Sequence, residues 1–262
     1  MLDEFGSLAS LTLRISQRDF SAKYKGSTLG LLWSVVTPLA MLAVYTFIFT
    51  YVFRSTWTGI NGTSQYALNI FVGLIFHLQL IETFGASSAS IVGNPNYIKK
   101  VVFPVGILPL AKVVTIFIHT LISVVVLFIF YAFINNGFFL LGMLNFLIVV
   151  ILHTLMCLGL AWSIAAVGVY VRDISHALSL FSMLLLFMSP IFYSIEMVPE
   201  EFRWIMNFNP NTLFINKGRN ALLSGELLSI SSVFWIFCVT SLFCFVSYRF
   251  FKYLKKGFAD VL

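Results

Sequence analysis

Six stretches of this 262-residue chain are each long and apolar enough to cross a bilayer as a helix, near 29–53, 66–91, 105–134, 138–170, 174–193 and 228–250. About 20 apolar residues, rising 1.5 Å each, cover the roughly 30 Å hydrocarbon core. All six are continuously apolar, without the period-2 alternation of a barrel strand, so the backbone must satisfy itself within helices. With 60% hydrophobic residues, 10% charged residues and a mean hydropathy of +0.97, the rest of the chain offers little for a water-soluble fold. The fold class expected is an all-α polytopic membrane protein with six transmembrane helices.

Orientation follows from the lysines and arginines of the short loops, which favour the cytoplasmic side. Six spans with both termini inside put Arg14, Arg18, Lys23, Lys25, Lys99, Lys100, Arg172, Arg249, Lys252, Lys255 and Lys256 within, and only Arg54, Arg203, Lys217 and Arg219 outside. Lys112 falls inside the third span, where its stem is expected to snorkel toward the inner face. The net charge of +6 is thereby explained by topology, and no nucleic-acid partner is expected. Asp3 and Glu4 come early and no short apolar core precedes a cleavage site, so the first span is expected to be retained. Cys157, Cys238 and Cys244 all fall inside spans and read as packing residues, with no disulfide framework or metal set implied.

Three parts of the chain are not simple spans. Over residues 1–28, Phe5, Leu8, Leu11 and Ile15 recur at helical spacing while Arg14, Gln17, Arg18 and Lys25 supply polar positions, which describes a helix in the inner interface, either an anchor or a docking element. The transmembrane domain, 29–262, follows, and Pro38 is expected to kink or unwind its first helix, with Ser34 and Thr37 hydroxyls near the freed carbonyl. Between 199 and 224, Pro199 with Glu200 and Glu201 reads as a helix start, Asn209 before Pro210 as a cap, and Gly225 as a stop. Two short re-entrant or interfacial helices on the outer face result, serving as a surface cap or as a gate. The segment 94–104, "NPNYIKKVVFP", reads as a cytoplasmic loop with a turn at Asn94 and Pro95, a helix restart at Pro104, an apolar contact at Tyr97 and Ile98, and positive charge at Lys99 and Lys100.

Aromatic residues make up 17% of the chain. Tyr45, Phe49 and Phe53 repeat every fourth residue along the outer half of span one, and Tyr66, Phe192, Tyr193, Phe202 and Trp204 fall near the same level, as a channel lining that stacks on sugar faces or as a lipid-facing belt. His77, Glu82, His119 and His153 are ionisable groups within spans. His119 and His153 are expected to be neutral and hydrogen-bonded between helices, and Glu82 to face a channel or to pair with a basic group, Lys112 being a candidate.

In order and spacing, "RDFSAKYKGSTLGLLWSVVTPL", "NPNYIKKVVFP", "VYVRDI", "MSPIFYSIEMVP" with a downstream "NP", and the tail "KGFADVL" resemble the ABC-2 type permeases of bacterial polysaccharide exporters, most of all the O-antigen exporter membrane subunit. The resemblance implies a half-transporter in the bacterial inner membrane, in which a homodimer forms the channel and two copies of a separate ABC ATPase drive it, with ATP and Mg on that partner. It implies that Asn94, Pro95, Asn96, Tyr97, Ile98, Lys99 and Lys100 form the coupling helix seated on the ATPase. The amino-terminal helix, with Arg14, Arg18, Lys23 and Lys25, would contact the ATPase and the membrane lipids. Pro199, Phe202 and Trp204 would belong to extracytoplasmic gate helices, and the cargo would be a polysaccharide on undecaprenyl pyrophosphate.

The residues themselves agree with that division of labour. A phosphate-cradling loop needs Gly-Lys, a dipeptide that occurs nowhere here, so no cofactor and no catalytic residue is assigned to this chain. Teichoic acid, capsule and small-lipid or drug export are the alternatives within the class. An ion-coupled carrier is the alternative outside it, and that reading would favour internal repeats and paired broken helices, which the sequence does not display.

Overall fold

The structure, a computed structural model, describes residues 2–52, 62–99 and 103–262, with the backbone alone for residues 2–7, 98 and 99. Phe53 and Lys100, both assigned roles from sequence, lie outside the described residues. Helices α1 (Leu2–Tyr24), α2 (Trp33–Phe47), α3 (Thr63–Ser88), α4 (Asn96–Lys99), α5 (Ile107–Asn135), α6 (Leu140–Tyr170), α7 (Ile174–Met188), α8 (Glu200–Phe208), α9 (Pro210–Arg219), α10 (Ile230–Leu254) and α11 (Phe258–Val261) follow in order, and the described residues contain no strand.

Among the described residues, five helices are long and apolar enough to cross a bilayer: Gly30–Val52, Thr63–Ser88, Ile107–Asn135, Leu140–Tyr170 and Ile230–Val261. The fifth of the six expected spans is shorter. Helix α7 has 15 residues and reaches about 22 Å, less than the hydrocarbon thickness. It ends because Pro190 pushes Ser189 into extended conformation (φ −107°, ψ 146°).

The bundle is organised around α3, most of whose span is buried, with α2, α5, α6, α7 and α9 packed around it. Lipid tails are as apolar as leucine, so spans associate by close packing at small residues rather than by fleeing water. A Cβ at Gly159 would lie 2.7 Å from the Phe243 ring of α10, and one at Gly168 would lie 2.8 Å from the Ser88 carbonyl of α3. Those glycines set how closely α6 approaches its two neighbours.

Helix α1 lies against the start of α5. Leu11 and Ile15 pack on Ile107 and Ala111, the Ser16 hydroxyl donates to the Ala111 carbonyl at 3.0 Å, and the Thr115 hydroxyl lies 3.3 Å from the Ser16 carbonyl. Helix α1 is therefore fastened to the bundle through α5. The helix does not unwind at Pro38: α2 continues through it from Trp33 to Phe47, and the irregular turns fall at the two ends, Gly30–Leu32 and Ile48–Val52. The Ser34 hydroxyl donates to the Leu31 carbonyl at 2.6 Å, not to the carbonyl that Pro38 leaves without a donor.

Candidate functional sites at the two ends of the bundle

At one end the chain gathers α1, α4, the end of α6 and the tail. Tyr97 of α4 is half-buried, its ring 4.6 Å from that of Phe103, and Arg18 of α1 reaches its hydroxyl at 3.4 Å. A hydrogen bond to Asp19 comes first among the causes that raise the Arg18 guanidinium above its ordinary pKa. Phe258 of α11 is buried beside Phe251 and Tyr170, and the Tyr170 hydroxyl donates to the Leu254 carbonyl at 2.7 Å. Ile91, Val105, Ala166 and Val169 complete this apolar cluster, and Tyr97 and Phe103 pack against it. The Tyr97 ring thus makes an apolar contact within its own chain. Pro95 and Asn96 are the exposed members of this turn, and Asn94 is half-buried, its amide donating to the Ser90 carbonyl at 3.0 Å. Arg14, Arg18, Lys23 and Lys25 are exposed along α1 and its end.

Deeper toward the bundle, two ion pairs tie α1 to the spans. Lys112 meets Asp19 at 2.7 Å, and Lys23 lies 3.4 Å from Glu82 and 3.1 Å from His119 Nδ1. The pairing anticipated between Lys112 and Glu82 is not made; each takes a partner from α1, an element that sequence gave no means of placing beside them. These groups face a cavity of about 410 Å³, also lined by Tyr24, Ser34, Thr37, Pro38 and Gln79, and an adjoining one of about 330 Å³ that includes Asp19 and Lys112. Burial, then the charge of Glu82, raises the Tyr24 phenol above its ordinary pKa. Asp19→Lys is expected to cost about 2 kcal/mol by removing a charge-assisted bond and opposing two cations. Combining it with Lys112→Asp should restore most of the loss, as measured by thermal unfolding of the detergent-solubilised protein.

At the other end, the hairpin between α7 and α10 divides into two unlike helices. The caps expected from sequence are present: Pro199 precedes α8, the Asn209 side chain accepts from the Asn211 amide at 3.0 Å, and Gly225 takes a left-handed conformation (φ 72°). Helix α8 exposes Phe202, Trp204 and Phe208 and buries only Met206, whereas α9 is inserted against α3 and α6. Pro199 is exposed. The arrangement is part surface helix and part core helix, a division that two similar caps did not announce.

Insertion of α9 depends on polar contacts. His153 of α6 sits between Gln79 Oε1 of α3 at 2.8 Å and Asn211 Oδ1 of α9 at 3.1 Å, with no exposed surface. Gln79 is oriented by donating to Thr154 at 2.7 Å. The Asn211 Nδ2 makes no hydrogen bond; turning that amide over would let it donate to a neutral His153 Nε2 while its Oδ1 took the unpartnered place. The expected interhelical role of His153 is what the structure shows. His77 is buried, and its Nδ1 makes no hydrogen bond.

Arg219, which sequence counted only as an outer charge, is the residue most missed. It is buried and donates to the carbonyls of Asn69, Pro190 and Ile191, with Nη2 at 2.8 Å from Asn69 O and 2.9 Å from Ile191 O. The Tyr66 hydroxyl donates to the next carbonyl, Phe192, at 2.7 Å. Non-helical backbone beside α7 is thereby supplied with donors from α9 and α3. Gly73 leaves room for the guanidinium, since a Cβ there would lie 3.1 Å from Nη2. The only sequence signal was a cation next to a glycine in a segment too apolar for a loop.

Five of the expected aromatic residues, Tyr45, Phe49, Tyr66, Phe192 and Tyr193, gather at this end. Phe49 stacks on Phe192 at 4.3 Å with the planes 5° apart, Tyr45 lies 4.8 Å from the same ring, and the Tyr193 hydroxyl donates to the Phe187 carbonyl. Tyr66 and Phe192 are buried, and Tyr45, Phe49 and Tyr193 are half-buried. Within one chain these rings fasten α2 to α3 and to the segment after α7.

The sequence model of a family described as ABC-2 type transporter matches residues 10–223, from the interface helix through α9 and the turn that follows it. The chain belongs to that family. This ABC-2 permease is 29% identical over 264 residues to the O-antigen export system permease protein RfbA of Klebsiella pneumoniae, an alignment covering 98% of this chain and 96% of that protein. A second protein of that name from the same organism is 28% identical over 264 residues. The RfbA protein of Myxococcus xanthus is 26% identical over 211 residues, covering 77% of this chain and 75% of its own. The similarity of this ABC-2 permease to the Klebsiella proteins therefore reaches beyond the family match into α10 and the tail.

Proposed function

We propose that this permease is the membrane half of an ATP-driven exporter of lipid-linked polysaccharide of the O-antigen type. The observation that carries the reading is end-to-end similarity to O-antigen export permeases, covering 96% of the Klebsiella proteins. The lack of a Gly-Lys phosphate loop in the sequence supports placing ATP and Mg on a separate ABC ATPase. Two copies of each subunit form the working complex in the bacterial inner membrane, with the termini and residues 94–104 in the cytoplasm. The cargo is held by undecaprenyl pyrophosphate, and α7 with the segment after it supplies the sixth crossing.

In this reading, closure of the ATPase pushes on Asn94, Pro95, Asn96 and the lysines Lys99 and Lys100. The push passes through Tyr97 to Arg18 and α1, and from α1 through Asp19 and Lys23 to α5 and α3, along contacts that join these elements. The outer hairpin with Pro199, Phe202 and Trp204 acts as the gate, and Tyr45, Phe49, Phe53, Tyr66, Phe192 and Tyr193 offer faces on which sugars stack. The test is export in a strain deleted for its own O-antigen permease, supplied with this chain and its neighbouring ATPase. Surface polysaccharide should appear only when both are present and the ATPase is active. Surface polysaccharide produced without an ATPase would sink the reading.

A further inference from the structure

A groove of about 440 Å³ opens between α1, the start of α5, α6 and the last turns of α10. Leu8, Leu110, Trp162 and Phe251 are among its walls, and Lys252 and Lys255 lie among its lining residues. The Trp162 indole donates to the Gly106 carbonyl at 3.0 Å, so its one polar atom is already satisfied. Lys252 Nζ stands 5.6 Å from the centre of the Tyr248 ring. Among the described residues, no carboxylate lines the groove and neither lysine has a carboxylate partner. Lysines at the end of α10 also offset its helix dipole. That accounts for their charge but not for an apolar trough beneath them.

Position decides what fits. Helix α1 is amphipathic and α10 ends here, so the groove sits at the boundary between hydrocarbon and water, with its walls on the apolar side and its cations on the wet side. A matching ligand carries an anion and a hydrocarbon chain on one molecule. We infer that the groove is a binding site for an anionic phospholipid, with the phosphate at Lys252 and Lys255 and an acyl chain along Leu8, Leu110 and Trp162. Free phosphate would leave the walls unused, and a zwitterionic lipid would bring its own cation to two lysines. The assignment stands independently of the cargo proposed above.

The experiment uses the full chain reconstituted in nanodiscs of mixed phosphatidylglycerol and phosphatidylcholine, with retained lipids counted by native mass spectrometry. Phosphatidylglycerol should be enriched over phosphatidylcholine. Lys252→Gln or Lys255→Gln should each reduce that enrichment about fivefold, and the pair about thirtyfold, at roughly 1 kcal/mol per cation near a charged headgroup. Lys256→Gln, at an exposed lysine outside the groove, should leave it unchanged. Leu110→Trp, which fills the trough, should lower retention with both lysines intact; the single variants serve if the pair does not accumulate. No enrichment in the parent, or enrichment that survives the double substitution, would overturn the assignment. So would a double variant that releases a protein subunit while lipid retention stays constant, which would make the lysines a protein contact.

Discussion

Arg219→Met should yield a protein that melts far below its parent or fails to accumulate as a monodisperse species in detergent. Methionine fills a similar length of space but donates no hydrogen bond, so the carbonyls of Asn69, Pro190 and Ile191 all lose their Arg219 donors at once. A buried polar group stripped of its partner costs about 1–3 kcal/mol. Even with relaxation, three together should total about 4 kcal/mol or more. Arg219→Lys should fall between the two, because one ammonium cannot reproduce the fan of donors that a planar guanidinium directs at three carbonyls. Thermal unfolding followed by size-exclusion fluorescence ranks the three proteins. A methionine variant as stable as the parent would show that these carbonyls draw their donors from elsewhere.

Reversing both loop charges, as K99E/K100E, should separate ATP hydrolysis from export. Insertion and hydrolysis should persist while export falls by about tenfold or more, since truncating close charge pairs at an interface is worth at least 1.4 kcal/mol in comparable contacts. Tyr97→Ala makes a useful contrast, because that ring packs on Phe103 and meets Arg18 within its own chain. It should leave ATPase binding near normal yet still lower export, by softening the path from the loop to α1. The two failures differ in where they act: the lysine variant loses the push, and the tyrosine variant loses its transmission. Normal export from the charge-reversed protein would remove Lys99 and Lys100 from coupling.

Which parts of this molecule could be read in advance follows from the range of the physics involved. Apolar length and period fixed α3, α5, α6 and α10 to within several residues, and local chemistry marked Pro199, Asn209 and Gly225 as boundaries. The amphipathic pattern over Leu11 and Ile15 marked the buried face of α1. Choosing a partner for a charge is another kind of problem. Asp19 and Lys112 are 93 positions apart, and Arg219 and Asn69 are 150 apart, so their meetings depend on how each helix is rotated about its axis. Sequence named Glu82 as a candidate for Lys112 because both belonged to spans; rotation and the fastening of α1 sent each elsewhere. Insertion of α9 was hidden for a similar reason, because Asn211, Arg219 and their neighbours read as surface polarity until the acceptors that receive them are known.

The short helix α7 has a consequence for the surroundings as well as for the chain. At about 22 Å it falls below the roughly 30 Å of hydrocarbon around it, and a mismatch of that size is met by lipids that shorten and tilt on the deficient flank. Leu180, Met183, Leu184 and Phe187 are exposed along that flank. Where α7 crosses the bilayer, such thinning would bring headgroups and water closer to the midplane. A polar molecule leaving or joining the protein sideways would then meet a thinner dielectric barrier along α7, so the proline that truncates this helix would also shape the solvent outside it.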